Sequence, residues 1–398
     1  MSVTLRCVAV LTLGLALLSP AQQRNQQTAS PGQSTQPAAG AAPGLIRRSE
    51  KERRQENLAA HEIVLNVLVR DAAGKAVRGL AENNFTILDD GKAQPITFFR
   101  PAQPPHVVLM LDGVNGSHWS YAAECRAVEK YLRDRSTALE YPVAIGLLSP
   151  SGISVNLESQ DPKTLLSQVE AASGVRTSTG SEQQTVQDVA STGVRPGSLL
   201  PSGMRVQKLD RGWADKNRRF VVSVEALTQF ILKEQSAPGR IVVLWVGVGW
   251  PLLTGPGYLP DTAAMKDRFF DRIAALSNGL REAQVTLNAV ASPELLKDAS
   301  LSQGYYAAYL GAATAPGEAS AANLGLPVLA VHSGGEVLDQ DKDMAAAIAE
   351  SLAGIDSWYT LAFQSLPSSQ PDEYRPLEVR VNRPGAVVRT NTGYYAQP

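Results

Sequence analysis

The pattern of apolar positions changes character twice along the chain. Between residues 63 and 70, Ile63, Leu65, Val67 and Val69 alternate with Val64, Asn66, Leu68 and Arg70, which predicts a strand with one apolar face. Residues 71–75 supply a turn and 85–88 a second short strand. Asp90-Gly91 then suits the positive φ of a tight hairpin, with residues 96–99 pairing back. From Pro105 the alternation gives way to continuous apolar runs at 106–112, 143–148, 240–248, 285–290 and 326–331, as expected of strands buried on both faces. Residues 154–157 read as a strand beside the second of these. Helical spacing fills the gaps. It places Cys125, Val128 and Leu132 on one face of 121–135 and Val221, Val224, Leu227 and Ile231 on one face of 220–232. Further helices are predicted after Pro162 and over 263–283 and 343–352. Short alternating strands return at 358–363, 376–382 and 386–390, with Arg383-Pro384-Gly385 as a turn.

Three or four strands cannot bury a face alone, so the two terminal β segments are expected to meet. The predicted fold class is α/β: a Rossmann-like, mostly parallel sheet with helices on both faces, inserted in a small antiparallel β-sandwich. The sandwich takes residues 59–104 and 358–398, and the α/β domain takes 105–357. Residues 173–215 are rich in Ser, Thr and Gly without a clear period, and are expected to form a mobile insert.

The first residues read as an address. Arg6 precedes an apolar run from Val8 to Leu18, and Ser19-Pro20-Ala21 offers small residues for cleavage before Gln22. The run is shorter than the ~20 residues a bilayer span needs, so 1–21 is expected to be a signal peptide and the mature chain exported, with no integral membrane segment. Residues 22–58 form a polar linker, expected to be disordered, that ends in a stretch of mixed charge.

Composition narrows the chemistry. Of 398 residues, 37 are Lys or Arg and 38 Asp or Glu, a formal net charge of −1, which argues against a nucleic-acid partner. Four His and two Cys exclude a zinc ribbon, an iron–sulfur protein and a disulfide scaffold. Cleavage of the leader would remove Cys7 and leave Cys125 alone. Neither Gly-x-Ser-x-Gly nor His-Glu-x-x-His occurs. A Cys125–His118 pair is conceivable, yet Cys125 falls on the apolar face of its helix and reads as a core thiol.

Ligands of open α/β sheets bind beyond the carboxyl ends of the strands. Asp112 lies at such an end, followed by Gly113, Val114, Asn115, Gly116 and Ser117. The carboxylate with nearby amide and hydroxyl oxygens suits a hard cation such as Mg²⁺, or else a strand-to-helix turn that caps a helix. Trp245, Trp250, Pro251 and Leu252 cluster at the same end, as core packing or as an aromatic binding surface. Ser333-Gly334-Gly335 reads as a tight turn.

Five segments carry a resemblance: FTILDDGKAQPITFF (85–99), VVLMLDGVN (107–115), GRIVVLWVGVGWPLL (239–253), LAVHSGGEVL (329–338) and LEVRVNRPGAVVRTNTGYYA (377–396). In this order they resemble the von Willebrand factor A-related family first recognised in acidobacterial proteomes, over roughly residues 60–396. The resemblance implies a cation site of the Asp-x-Ser-x-Ser type, completed by a Thr and an Asp from two other loops. Asp112 matches the first element, whereas Val114 and Gly116 stand at the two Ser positions and Gly247-Val248-Gly249-Trp250 stands where the last Asp is implied. The Thr would be Thr177 or Thr179. Any Mg²⁺ would fall to Asp112, Asn115 and Ser117, and no other cofactor is expected.

The expected function is an exported, non-catalytic protein-interaction or adhesion-like module with a degenerate metal-ion-dependent adhesion site. Binding is expected around Asp112, Asn115, Ser117, Trp250 and the insert, with another protein or an envelope component as partner. The alternative is an extracytoplasmic hydrolase whose site carries no known signature.

Overall fold

The computed structural model describes residues 61–135, 137–177, 211–236, 239–250, 262–290, 306–338, 343–353 and 355–398. The expected signal peptide, the linker and residues 178–210 of the insert lie outside the described residues.

The chain opens in the sandwich. In β1 (Glu62–Arg70), Ile63, Leu65, Val67 and Val69 face the sandwich core as the alternation predicts, while Leu68 is buried on the other side against the α/β layer. β2 (Phe85–Asp89) turns through Asp90 and Gly91, both at positive φ, into β3 (Lys92–Gln94). Residues 96–99 do not pair back as expected. Pro95 lacks an N–H for the ladder, and β4 (Phe98–Arg100) crosses to the other sheet.

The chain then enters the α/β layer. Its strands are β5 (His106–Asp112), β6 (Val143–Ser149), β7 (Gly152–Val155), β8 (Ile241–Val246), β9 (Val285–Val290) and β10 (Val337–Leu338). Its helices are α1 (His118–Arg133), α2 (Pro162–Thr177), α3 (Arg211–Glu234), α4 (Ala263–Glu282), α5 (Leu326–His332) and α6 (Met344–Leu352). Helix thus occupies both ends of the segment expected to be an insert, up to Thr177 and from Arg211.

The sheet order is β10-β9-β8-β5-β6-β7, all parallel except the edge strand β7. Successive residues of a strand face opposite ways, and β5 shows it. Val107, Leu109 and Leu111 join a core with α1, α2 and α6, while Val108 and Met110 join a second core with α3, α4 and α5.

One strand expectation is corrected. Residues 326–331 form helix α5, with Gly325 as its cap and Pro327 in its first turn. A short apolar run carries no period that separates strand from buried helix, and a Pro just inside the start favours the helix. The last parallel strand is instead β10, only two residues long. Ser333-Gly334-Gly335 therefore follows a helix. A Cβ on Gly335 would come within 1.9 Å of the Leu287 carbonyl oxygen, so the turn lies directly against β9.

The chain returns through β11 (Trp358–Gln364), β12 (Glu373–Val381), β13 (Val387–Arg389) and β14 (Gly393–Ala396). β11 pairs with β1 over seven residues and β12 with β2 over five, so strands from both ends interleave. The sandwich sheets run β13-β1-β11-β4 and β14-β12-β2-β3 around a core of Leu65, Ile87, Leu361, Phe363 and Val379.

The seam between sandwich and α/β layer is polar. Buried Arg240 donates to the Trp358 carbonyl at 3.3 Å and to Thr360 Oγ1 at 2.7 Å. Glu336 pairs with both Arg70 and Arg389. Asn278 exchanges two hydrogen bonds with the backbone of Tyr395, at 2.7 and 3.1 Å.

His332, at the end of α5, is buried, and its Nε2 lies 3.0 Å from the Leu310 carbonyl oxygen, which it meets as the N–H donor. Burial holds its imidazole below the ordinary value of 6.5. Below pH 6.5 the unfolded chain therefore binds a proton that the folded chain refuses, and stability falls as pH falls toward the folded value. We expect urea midpoints of the wild type to drop over this window, with at most about 1.4 kcal/mol per pH unit from this one proton. His332→Gln, which keeps a donor without titrating, should flatten the profile.

Candidate functional site

The topological switch point of the sheet lies between β5 and β8. From β5 the chain leaves by α1 toward β6, and from β8 by α4 toward β9, so the connections part at the carboxyl ends of both strands, where a sheet of this topology takes its ligand. Asp112 closes β5 there, and Gly247 follows β8.

The Asp112 side chain is fully buried. Oδ1 accepts from the main-chain N–H groups of Val114 and Asn115 at 3.1 and 3.0 Å. Asn115 Nδ2 reaches both carboxylate oxygens, at 3.0 and 2.9 Å. Trp245 Nε1, from β8, donates to Oδ2 at 3.1 Å. A buried carboxylate is tolerated only with such compensation, and here N–H donors surround it where a bound cation would require open lone pairs.

Of the other two expected ligands, Ser117 is engaged through its hydroxyl and Asn115 only through its amide nitrogen. Asn115 aims its amide nitrogen at Asp112 and at Ser223 Oγ, 2.9 Å away on α3. Its amide oxygen is buried without a hydrogen-bond partner. Ser117 caps α1, its hydroxyl accepting from the Ser120 N–H at 3.1 Å. The structure thus brings Asp112, Asn115 and Ser117 together as a hydrogen-bonded turn. Thr179 lies outside the described residues, as does the side chain of Thr177.

Trp250 lies in the core of this end, not on its surface. It is 1% exposed, packs edge-on against Trp245 at 5.3 Å and donates to the Leu324 carbonyl at 2.7 Å. A Trp in the loop after a buried strand is drawn into the apolar layer, where its N–H needs a partner.

Four residues of this end escaped the sequence reading. Glu124 is fully buried on α1. Its signal was present, because it falls on the apolar stripe of Tyr121, Cys125, Val128 and Leu132. A Cβ on Gly247 would lie 2.8 Å from Asp112 Cβ and 3.1 Å from Glu124 Cδ, with φ at +148°. The two carboxyl groups therefore bracket the position where the resemblance implies another acid, and leave no room for a side chain. Arg219 and Ser223 come from α3, with Arg219 Nη1 donating to the Asn115 carbonyl at 2.8 Å. Neither had a motif to announce it. Trp119, in the first turn of α1, is 79% exposed.

Cys125 is buried, and its thiol is pushed up to about 12, chiefly by that burial. The His118 ring lies edge-on to Trp119, 6.1 Å away. No three His, Cys, Asp or Glu side chains cluster as a metal site among the described residues.

Asp112→Ala would leave the Trp245 indole and the Asn115 amide without their acceptor. We expect a loss of at least about 3 kcal/mol in urea unfolding, or failure to fold, in metal-free buffer. A carboxylate waiting for a cation would behave oppositely, since its removal would relieve the apo protein. Gly247→Ala combines a left-handed φ with a contact under 3 Å, and should cost about 2 kcal/mol or more in the same assay.

No protein-family model matches the chain, and no curated protein matches it in sequence. Among solved structures, human COPII-coat protein Sec24c is similar at 10% identity and a TM-score of 0.32, over 74% of this chain and 44% of that one. The chain thus spans less than half of the Sec24c chain. A von Willebrand factor type A protein from Catenulispora acidiphila is similar at 9% identity and a TM-score of 0.28, over 85% of this chain and 75% of that one. Neither likeness is near enough to say what this chain binds.

Proposed function

We propose that the protein is an exported, non-catalytic interaction module that takes another protein or an envelope component at the carboxyl end of its central sheet, without a metal ion. The observation that carries this reading is the contrast at that end. Asp112 has its acceptors filled by N–H groups, while Trp119, in the first turn of the helix that follows, stands 79% exposed. A large rigid aromatic left in water is the kind of side chain that dominates binding energy once a partner covers it.

The neighbouring polar groups support binding over catalysis. Ser117 and Ser120 bond to each other's turn, and the Ser333 hydroxyl is committed to the Leu287 N–H and the Ala330 carbonyl. His106 pairs with Glu158 at the opposite end of the sheet. The one thiol among the described residues, Cys125, is buried. Export rests on the leader pattern of residues 1–21, and no helix among the described residues is long and apolar enough to cross a membrane.

Trp119→Ala tests the face. An exposed substitution should move the unfolding free energy by no more than about 0.5 kcal/mol. Recovery of the partner from envelope or medium fractions should weaken about 30-fold, the loss of one interfacial anchor. Wild-type recovery should be unchanged by EDTA. A partner that Trp119→Ala retains in full would place the binding face elsewhere, and one released by EDTA would restore a metal ion to the site.

A further inference from the structure

We propose that the group this sheet end reads is a carboxylate of the partner, an acidic protein segment, and that the reader is the Arg219 guanidinium assisted by Arg218. The proposal rests on the interaction face described above and names its chemistry.

The two acids of this sheet end are fully buried, and Asp112 is tied to N–H donors, so they offer an approaching partner no free acceptor surface. What faces outward is positive. The second and third turns of α3 carry Lys216, Arg218 and Arg219 against a single acid, Asp215, which pairs with both arginines. This local excess contrasts with a chain of net charge −1. Arg219 is 30% exposed in its side chain and Arg218 44%.

Arg219 is also held in place. Nη1 donates to the Asn115 carbonyl at 2.8 Å and Nη2 pairs with Asp215. A guanidinium has five N–H donors in a planar fork; these two contacts orient it, Nε–H is buried, and one N–H on each of Nη1 and Nη2 is left over for a planar, two-oxygen ligand. Little rotamer entropy then remains to be lost on binding.

Trp119 is linked to it through the chain. Asn115 is bonded to Arg219, Ser117 caps α1, and Trp119 follows two residues later. α1 begins at this end with Ser117 as its cap, so its N-terminal dipole adds to the positive field. Carboxylate beside an apolar or aromatic side chain is the partner chemistry that fits.

The test uses the protein from residue 22 onward, in EDTA, with calorimetric titration of a short Glu-rich peptide and of its Gln-for-Glu counterpart. The Glu peptide should bind at least about 10-fold tighter than the Gln peptide and weaken as salt rises. Arg219→Gln should weaken it about 10-fold or more, and Arg219→Lys nearly as much, because a lysine lacks the fork. Arg218→Glu, at an exposed position clear of the Asp112 turn, should do the same with an unchanged unfolding midpoint.

Equal affinity for both peptides, no binding, or binding that Arg218→Glu and Arg219→Gln leave intact would overturn the carboxylate assignment. So would capture of anionic phospholipid vesicles in place of the peptide. If these arginine variants bind normally while Trp119→Ala still loses the envelope partner, the interaction face stands and only its chemistry is wrong. If Trp119→Ala loses nothing, the face itself falls.

Discussion

The structure turns on one buried charge. Asp112 sits at the end of the central strand with none of its side chain in water, and an ion there is sustainable only if its oxygens are satisfied. The donors that satisfy it come from two places, and one of them carries the network on to a third element. The loop turns back on itself through Val114 and Asn115, β8 contributes the Trp245 indole, and Asn115 passes the connection on to Ser223 of α3. Meeting that single requirement therefore shapes the β5–α1 turn, selects Trp at the fifth residue of β8 and docks α3. It also explains Gly247, since any side chain there would meet Asp112 and Glu124 together.

Once Asp112 is occupied by its own hydrogen bonds, binding chemistry has to stand outside it. On the proposed reading Trp119 and the Arg218–Arg219 pair do so, from the helix that follows β5 and the helix that precedes β8. The arrangement preserves what a doubly wound sheet offers, a sheet end where connections diverge. A ligand is then met by side chains already ordered by Asn115 and the Ser117 cap, and the entropy lost on association is correspondingly small.

The fold was largely legible in the sequence because its signals are periodic and long. Continuous apolar runs at 106–112 and 240–248 marked strands buried on both faces, and the alternation at 63–70 marked the sandwich. The readings that failed are those where period was short or absent. Six apolar residues at 326–331 fit strand and buried helix alike, and only Pro327 spoke for the helix. β10, at two residues, has no pattern to detect. The site was legible in part. Asp112 stood out because an acid ending an apolar run is unusual, but its partners Trp245, Ser223 and Arg219 are remote in sequence and recognisable only once the sheet brings them together. Glu124 was hidden among apolar neighbours. Trp250 and Trp119 show the limit most plainly, since residue type alone does not tell the buried indole from the exposed one.

The polar seam between the two layers follows from the same logic of compensated burial. The sandwich closes only when β1 meets β11 and β2 meets β12, partners separated by the whole α/β layer, so its closure entropy is offset only once that layer has folded. Apolar contacts alone would tolerate slippage as the late strands dock. Arg240 on the Trp358 carbonyl and Thr360, Glu336 between Arg70 and Arg389, and Asn278 on the Tyr395 backbone each demand one register, because a shift by a residue would leave a buried charge or amide without its partner. Registration of the sandwich in turn seats Tyr395 in the core that holds Trp245. The indole that donates to Asp112 thereby shares its core with a strand from the far end of the described chain, and the sheet end keeps its shape because both ends of the folded region are clasped.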